Sequence, residues 1–131
     1  MIHEKLRSVQ MALKVPKNRF NKFGGYKYRN AEDILDAVKP LLADNGLTLK
    51  LEDSVIFDGI GGSYVRSQAS LTDGETTIHS SGVAKDEAGK GMSASQGSGS
   101  ASSYSKKYCL CNLFLIDDGI DDDLTNKHGK D

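Results

Sequence analysis

The sequence predicts an α+β fold: a short antiparallel meander of three strands packed with a long C-terminal helix and with N-terminal helices. Three observations carry this. Apolar residues recur at helical spacing near both ends, from Ile2 to Leu13 and from Tyr104 to Phe114. In the middle, from Leu47 to Ala84, they alternate instead, as half-buried strands require. Two turn sequences, Asp58-Gly59-Ile60-Gly61-Gly62 and Asp73-Gly74, cut that alternating stretch into three. Helices set apart from an antiparallel sheet, rather than alternating with its strands, define the class.

The first helix covers residues 2–13, where Ile2, Leu6, Val9 and Leu13 recur at intervals of four, three and four, and Pro16 stops it. From 14 to 29 no period is visible. A second helix starts near Asn30, an N-cap residue with Asp33 three places on, which resembles a capping box. Ile34, Leu35, Val38, Leu41 and Leu42 form its apolar stripe, and Asn45-Gly46 is its stop signal. Pro40 falls inside it and is expected to remove one backbone hydrogen bond and bend it, unless a new turn begins there. Leu47, Leu49 and Leu51 alternate with Thr48, Lys50 and Glu52 in the first strand. Ser63–Thr72 is the second, with Tyr64 and Arg66 on one face and Val65, Ala69 and Leu71 mainly on the other. Asp73-Gly74 reads as a two-residue hairpin loop, so the third strand runs from Glu75 to Ala84. Lys85–Gly91 is a charged, glycine-rich connection.

Gly91 to Phe114 starts small and polar and ends large and apolar. Tyr104, Tyr108 and Cys111 lie close to one helical face, Leu110 and Phe114 widen it, and Lys106 and Lys107 fall on its flanks. For Met92–Ser103 two readings stand. One is a helix that keeps Gly97 and Gly99, each costing roughly 1 kcal/mol relative to alanine, because another backbone comes close there. The other is a Gly/Ser loop feeding a shorter helix. Cys109 and Cys111 would diverge by roughly 200° on a helix, so they cannot pair with each other, and reduced thiols in a reducing compartment are expected. Thr125–Asp131 has no apolar residue and reads as a disordered tail behind a single domain over 1–124.

At 131 residues the chain suits one domain with one core. A hydrophobic content of 37% without tryptophan points to a small core, or one shared between subunits. No apolar run approaches the length of a membrane span, and the N-terminus lacks the apolar centre of a signal peptide; the chain reads as soluble and intracellular. The net charge of −1 does not by itself call for a polyanion partner, but its distribution does. Between Lys14 and Arg29 stand six basic residues, Lys14, Lys17, Arg19, Lys22, Lys27 and Arg29, and no acidic one. Phe20, Phe23, Tyr26 and Tyr28 are interleaved with them, in a chain with only four Phe and five Tyr. Such a segment is either a surface loop anchored by its aromatics or a nucleic-acid contact, with cations on phosphates and rings stacked on bases. The density of rings among cations favours the second, with Tyr28 assigned to the core.

Other chemistry fails on spacing. Gly89-Lys90-Gly91 lacks the earlier glycine of a phosphate loop, since Ala84 stands there, and lacks the Ser or Thr after the lysine. His3, His79 and His128 make no metal spacing. Asp117, Asp118, Asp121, Asp122 and Asp123 form an acidic run. It reads as a solvated tail ahead of a metal site, and it could also compete with DNA for the basic segment, in its own or a neighbouring subunit.

Several blocks together resemble the essential recombination function (ERF) family of phage and prophage single-strand annealing proteins. They are Tyr26-Lys27-Tyr28-Arg29-Asn30-Ala31-Glu32-Asp33-Ile34, Lys39-Pro40-Leu41-Leu42, Asn45-Gly46-Leu47, Asp73-Gly74-Glu75 and Ser81-Gly82. The longest comprises Gly91–Ser100, Tyr104–Phe114 and Ile116-Asp117-Asp118. The family's usual pattern has an arginine pair at Lys106-Lys107 and alanine at Ser105; lysine keeps the charge but lacks the planar fork. The resemblance covers about Phe20 to Asp123. It implies a β-β-β-α core like that of eukaryotic recombination mediators, a homo-oligomer, often a ring, no nucleotide hydrolysis, no cofactor, and residence in the bacterial host cytoplasm.

On this reading the chain binds single-stranded DNA and anneals complementary strands without ATP. Lys14, Lys17, Arg19, Lys22, Lys27 and Arg29 would line one wall of a groove, with Arg66, Lys106 and Lys107 as candidates for the other. Phe20 and Phe23 would stack on bases. Gln96, Gly97, Gly99, Tyr104 and Tyr108 are candidates for structural or subunit contacts. The alternatives are a passive single-strand protector, a metal-dependent nuclease using the aspartates, and a module that docks an acidic protein tail such as that of a host single-strand binding protein.

Overall fold

Helical periodicity at the N-terminus produces α1 (Ile2–Ala12), which buries Ile2 and Val9 and ends four positions before Pro16. The segment without visible period folds into a small antiparallel hairpin, β1 (Arg19–Asn21) and β2 (Tyr26–Tyr28), joined by residues 22–25. Then follow α2 (Ala31–Asp44), β3 (Thr48–Phe57), β4 (Ser63–Thr72), β5 (Thr77–Lys85) and α3 (Ala94–Phe114). The computed structural model describes residues 1–86 and 94–117, the side chains of 94–98 excepted. Of the expected connection Lys85–Gly91, Lys85 instead ends β5 and residues 87–91 lie outside the described residues, as do the tail and Asp118, Asp121, Asp122 and Asp123.

The capping box at α2 forms in both directions: the Asp33 N–H donates to Asn30 Oδ1 and the Asn30 N–H donates to Asp33 Oδ2, each at 2.9 Å. Ile34, Val38 and Leu42 are buried, with Leu35 and Leu41 half-buried beside them. The helix runs on through Pro40, which lies on its exposed side, and no new helix begins there. Gly46, at φ 66°, supplies the left-handed residue that stops it.

The sheet order is β3-β4-β5, all antiparallel, with Asp53, Ser67 and Gly82 aligned across it. Val65, Ser67, Ala69 and Leu71 point inward from β4 and are buried, while Arg66 points outward, as the alternation predicts. The loop between β4 and β5 is longer than the two-residue turn expected. Thr72 pairs with Thr77, so residues 73–76 form a four-residue loop. The Asp73 carboxylate accepts the N–H groups of Glu75 and Thr76 there, which removes Glu75 from the strand.

α3 is one helix from Ala94, which decides for the helical reading over 94–103. It lies on the inward face of β4 and β5, and its last turns are covered by α1 and α2. Its C-terminal turns are therefore apolar almost all round: Cys109, Leu110, Cys111, Leu113 and Phe114 are all buried. Each such Leu or Phe contributes roughly 1.5–3 kcal/mol by leaving water. Both cysteines are free thiols, and burial pushes the Cys109 thiol up, so it acts as a small packing group.

Three expectations about this helix are corrected. Tyr104 and Tyr108 are not on the buried face: they are 46% and 40% exposed, while the face against the sheet carries the small residues Ala101, Ser105 and Cys109 at intervals of four. Lys107 does not leave for a flank; it is only 4% exposed. Nor, among the described residues, does a backbone come close at Gly99, where an added Cβ would meet nothing within 4 Å. The close approach is at Gly82 of β5, where a Cβ would stand 2.5 Å from the Cys109 amide nitrogen and 2.6 Å from the Ser105 carbonyl oxygen. Gln96 and Gly97 belong to the helix, but their surroundings lie outside the described residues.

The two glycines thus predict opposite responses. Gly82→Ala pushes helix from strand and should cost about 1–3 kcal/mol. Gly99→Ala adds helix propensity without a clash and should stabilise by about 1 kcal/mol. Urea unfolding of both variants checks the pair, and equal effects of the same sign would refute the assignment of the close contact.

Candidate nucleic-acid interface

The six basic residues of 14–29 divide by chemistry. The two arginines fasten the framework. Arg19 Nε and Nη2 donate to Asp33 Oδ2 and Oδ1 at 2.8 and 3.0 Å, a two-pronged pair that ties β1 to the start of α2. The Arg19 hydrogen bond holds the Asp33 carboxyl below the usual carboxylate range, against the opposing effect of burial. Arg29 Nε donates to the Val15 carbonyl at 2.7 Å and Nη1 to the Asp117 carbonyl at 3.3 Å, joining the strand's exit to the segments after α1 and α3. Of the lysines, Lys14, Lys22 and Lys27 are exposed and Lys17 half-buried.

The hairpin turns one side outward. Phe20 and Lys27 are cross-strand partners, so their side chains share a face, and both are exposed. Arg19, Asn21, Tyr26 and Tyr28 occupy the other face. Tyr26 packs edge-on against Tyr28 with ring centroids 6.0 Å apart. Its hydroxyl accepts from Asn21 Nδ2 at 3.0 Å, and Asn21 Oδ1 accepts the Gly24 N–H at 2.9 Å. Gly24 leaves room for the Tyr26 ring, where a Cβ would collide. This buttress leaves Lys22 and Phe23 at the tip, with Phe23 fully exposed. Tyr28, assigned to the core from sequence, is half-buried and lines a cleft instead.

That cleft, about 200 Å³, lies between the end of the hairpin, the start of α2 and the exposed side of α3. Tyr28, Arg29 and Ala31 face Ser103, Tyr104 and Lys107 across it. The Lys107 ammonium sits 5.9 Å from the centre of the Tyr104 ring. Tyr104 also borders a second hollow with Val83, Lys85 and Tyr108. The sequence assigned Arg29 and Lys107 to opposite walls; the structure brings both to this one cleft. Nothing in the spacing announced Tyr28 or Ala31 as neighbours of α3, or Ser103 as the α3 residue facing them.

Lys106 points elsewhere. Its ammonium donates to Asp53 Oδ2 at 2.6 Å and to Ser102 Oγ at 2.7 Å. The Ser67 hydroxyl donates to Asp53 Oδ1 at 2.6 Å and lies 2.6 Å from Ser105 Oγ, so a line of hydrogen bonds through two buried serines joins β3, β4 and α3. Burial pushes the Asp53 carboxyl up, but hydrogen bonds from Lys106, Ser102 and Ser67 outweigh it and hold the group below the usual carboxylate range. Arg66 is exposed on the sheet face turned away from α3 and is not brought together with the hairpin. Among the described residues, no three His, Cys, Asp or Glu side chains gather as a metal site would need, and no helix is long and apolar enough to cross a membrane.

The ERF superfamily model matches residues 2–131. The essential recombination function protein of Salmonella phage P22 is 46% identical over 127 residues, which is 96% of this chain and 60% of that protein. The chain thus spans about three-fifths of the length of this relative. No solved structure gives a significant match.

The Asp53 cluster makes a pH-dependent prediction. With its folded value depressed, Asp53 contributes stability above its unfolded value of about 3.9, and that contribution is lost as pH falls through the lower folded value. Asp53→Asn should therefore lower stability near neutral pH by about 1–2 kcal/mol and flatten the loss on acidification. Denaturation curves of parent and variant at neutral and at acid pH test this.

Proposed function

The chain belongs to the ERF superfamily, and on that premise we propose that it binds single-stranded DNA on its lysine- and phenylalanine-bearing hairpin and promotes annealing of complementary strands. The phage P22 relative is named an essential recombination function protein, and phage recombination is the setting we propose for this chain. The observation that supports the reading best is the outward side of the hairpin. Phe20 and Phe23 are 58% exposed and fully exposed beside Lys22 and Lys27, and neither ring belongs to the hydrophobic core. An exposed aromatic is a stacking platform for any base, and an exposed lysine is a mobile counterion for phosphate.

Annealing requires no covalent step. Pairing runs downhill by about 1.4 kcal/mol per base-pair step; what slows it is repulsion between two polyanions and self-structure within each. Lys14, Lys17, Lys22 and Lys27 would screen about four phosphates per subunit, giving a logarithmic salt slope near −3. A homo-oligomer would align these hairpins along one strand, whether as a ring or as a filament. An annealer accelerates the pairing of two labelled complementary strands, whereas a protector retards it, so strand mixing separates the two.

Substituting both Lys22→Gln and Lys27→Gln should weaken single-strand binding and reduce the salt slope by about 1.4, two phosphates' worth. Phe23→Ala should weaken it about tenfold without changing the slope, and without loss of stability since the ring is fully exposed. Fluorescence anisotropy over a salt series checks all three statements.

A further inference from the structure

The cleft between Tyr28 and Tyr104 differs from the hairpin in the ligand it fits. The hairpin offers charge to solvent. The cleft offers rings, the small side chain of Ala31, the Ser103 hydroxyl and Lys107, a residue only 4% exposed. A phosphate suits it poorly. Lys107 would have to meet the phosphate after both had shed water, which is costly for two buried charges. Arg29 already donates to two main-chain carbonyls. A flat, mostly apolar ring with a carbonyl acceptor suits it well: the faces meet tyrosine, and the acceptor reaches a cation already held at 5.9 Å from the Tyr104 ring centre. At about 200 Å³ the cleft is smaller than the roughly 300–1,000 Å³ of pockets that take a whole small molecule. It has room for one base and not for several.

The geometry points to a base-holding site: each subunit takes one unpaired nucleobase of the bound strand, with thymine as a suitable case, into the cleft of Tyr28, Ala31, Ser103, Tyr104 and Lys107. The site rests on the single-strand binding proposed above and specifies what this part of the surface recognises. A base so held is withdrawn from pairing, so the strand is gripped at intervals and left free between them.

Two oligomers of equal length and charge separate base from backbone: oligo(dT), and an abasic deoxyribose-phosphate chain. Tyr104→Ala should weaken binding to oligo(dT) about tenfold, the size of one base–aromatic stack, and leave the abasic oligomer unchanged. Ser103→Trp, which fills the cleft from its exposed lip, should do the same, and Tyr104→Phe should retain binding. Both positions are exposed, and parental thermal melting of each variant confirms that the fold is kept. Unchanged oligo(dT) binding by Tyr104→Ala and Ser103→Trp overturns the site, as does an equal loss on both oligomers, which would make the cleft a backbone contact. In either case the Lys22/Lys27 variant still reports on the hairpin. If the parent protein binds neither oligomer, single-strand binding itself fails, and the base site with it.

Discussion

The contact between α3 and β5 sets the positions of everything else. At Gly82 the helix main chain rests on the strand with no side chain between them. Around that point the contact is polar on a small scale. Ser80 Oγ donates to the Cys109 carbonyl at 3.2 Å, Asn112 Nδ2 donates to the Ser81 carbonyl at 2.9 Å, and the Ser67 and Ser105 hydroxyls meet at 2.6 Å. A face built from Ala101, Ser105 and Cys109 lets the helix sit low, and its height fixes where its remaining sides point. One side carries Lys106 to Asp53. Another carries Lys107 and Tyr104 to the start of α2. The far side of the last turns is left for α1 and α2 to cover.

Charge in the basic segment is sorted by side-chain type. The guanidinium groups, with rigid forks, go where geometry must be held: Arg19 on a carboxylate, Arg29 on two carbonyls. The flexible ammonium groups of Lys14, Lys22 and Lys27 remain at the surface. A similar split separates the adjacent lysines of α3, since Lys106 is bound within a cluster and Lys107 is buried against a tyrosine ring. Two neighbours in sequence thus serve different surroundings because consecutive helical positions differ by roughly 100°.

Much of this fold was legible. The stripe of α1, the Asn30–Asp33 box, the Asn45-Gly46 stop and the alternation of β4 are each local and each strong. The hairpin was not, because strands of three residues show too little alternation to register and because its outward side carries Phe20 rather than a polar residue. The buried side of α3 was misread for a related reason. Tyr104 and Tyr108 are the conspicuous residues, yet the sheet demands small ones, and Ala101, Ser105 and Cys109 carry little weight in a pattern of hydrophobicity. The candidate interface was legible as a composition of rings and cations between Lys14 and Arg29. Its division into exposed lysines and arginines tied to the framework was not, because it depends on where Asp33, Val15 and Asp117 fall in space. The cleft joins residues about 75 positions apart, such as Tyr28 and Ser103, and no spacing rule connects them.

Arg29 takes main-chain oxygens where Arg19 takes a side chain. A clasp on carbonyl groups is indifferent to the identity of the residues that own them. Drift at Val15 or Asp117 would leave it standing, whereas the Arg19 tie fails once Asp33 is replaced. Of these hydrogen bonds, the two beside the cleft are therefore the more tolerant of sequence divergence, since neither depends on the side chain at the position that accepts it.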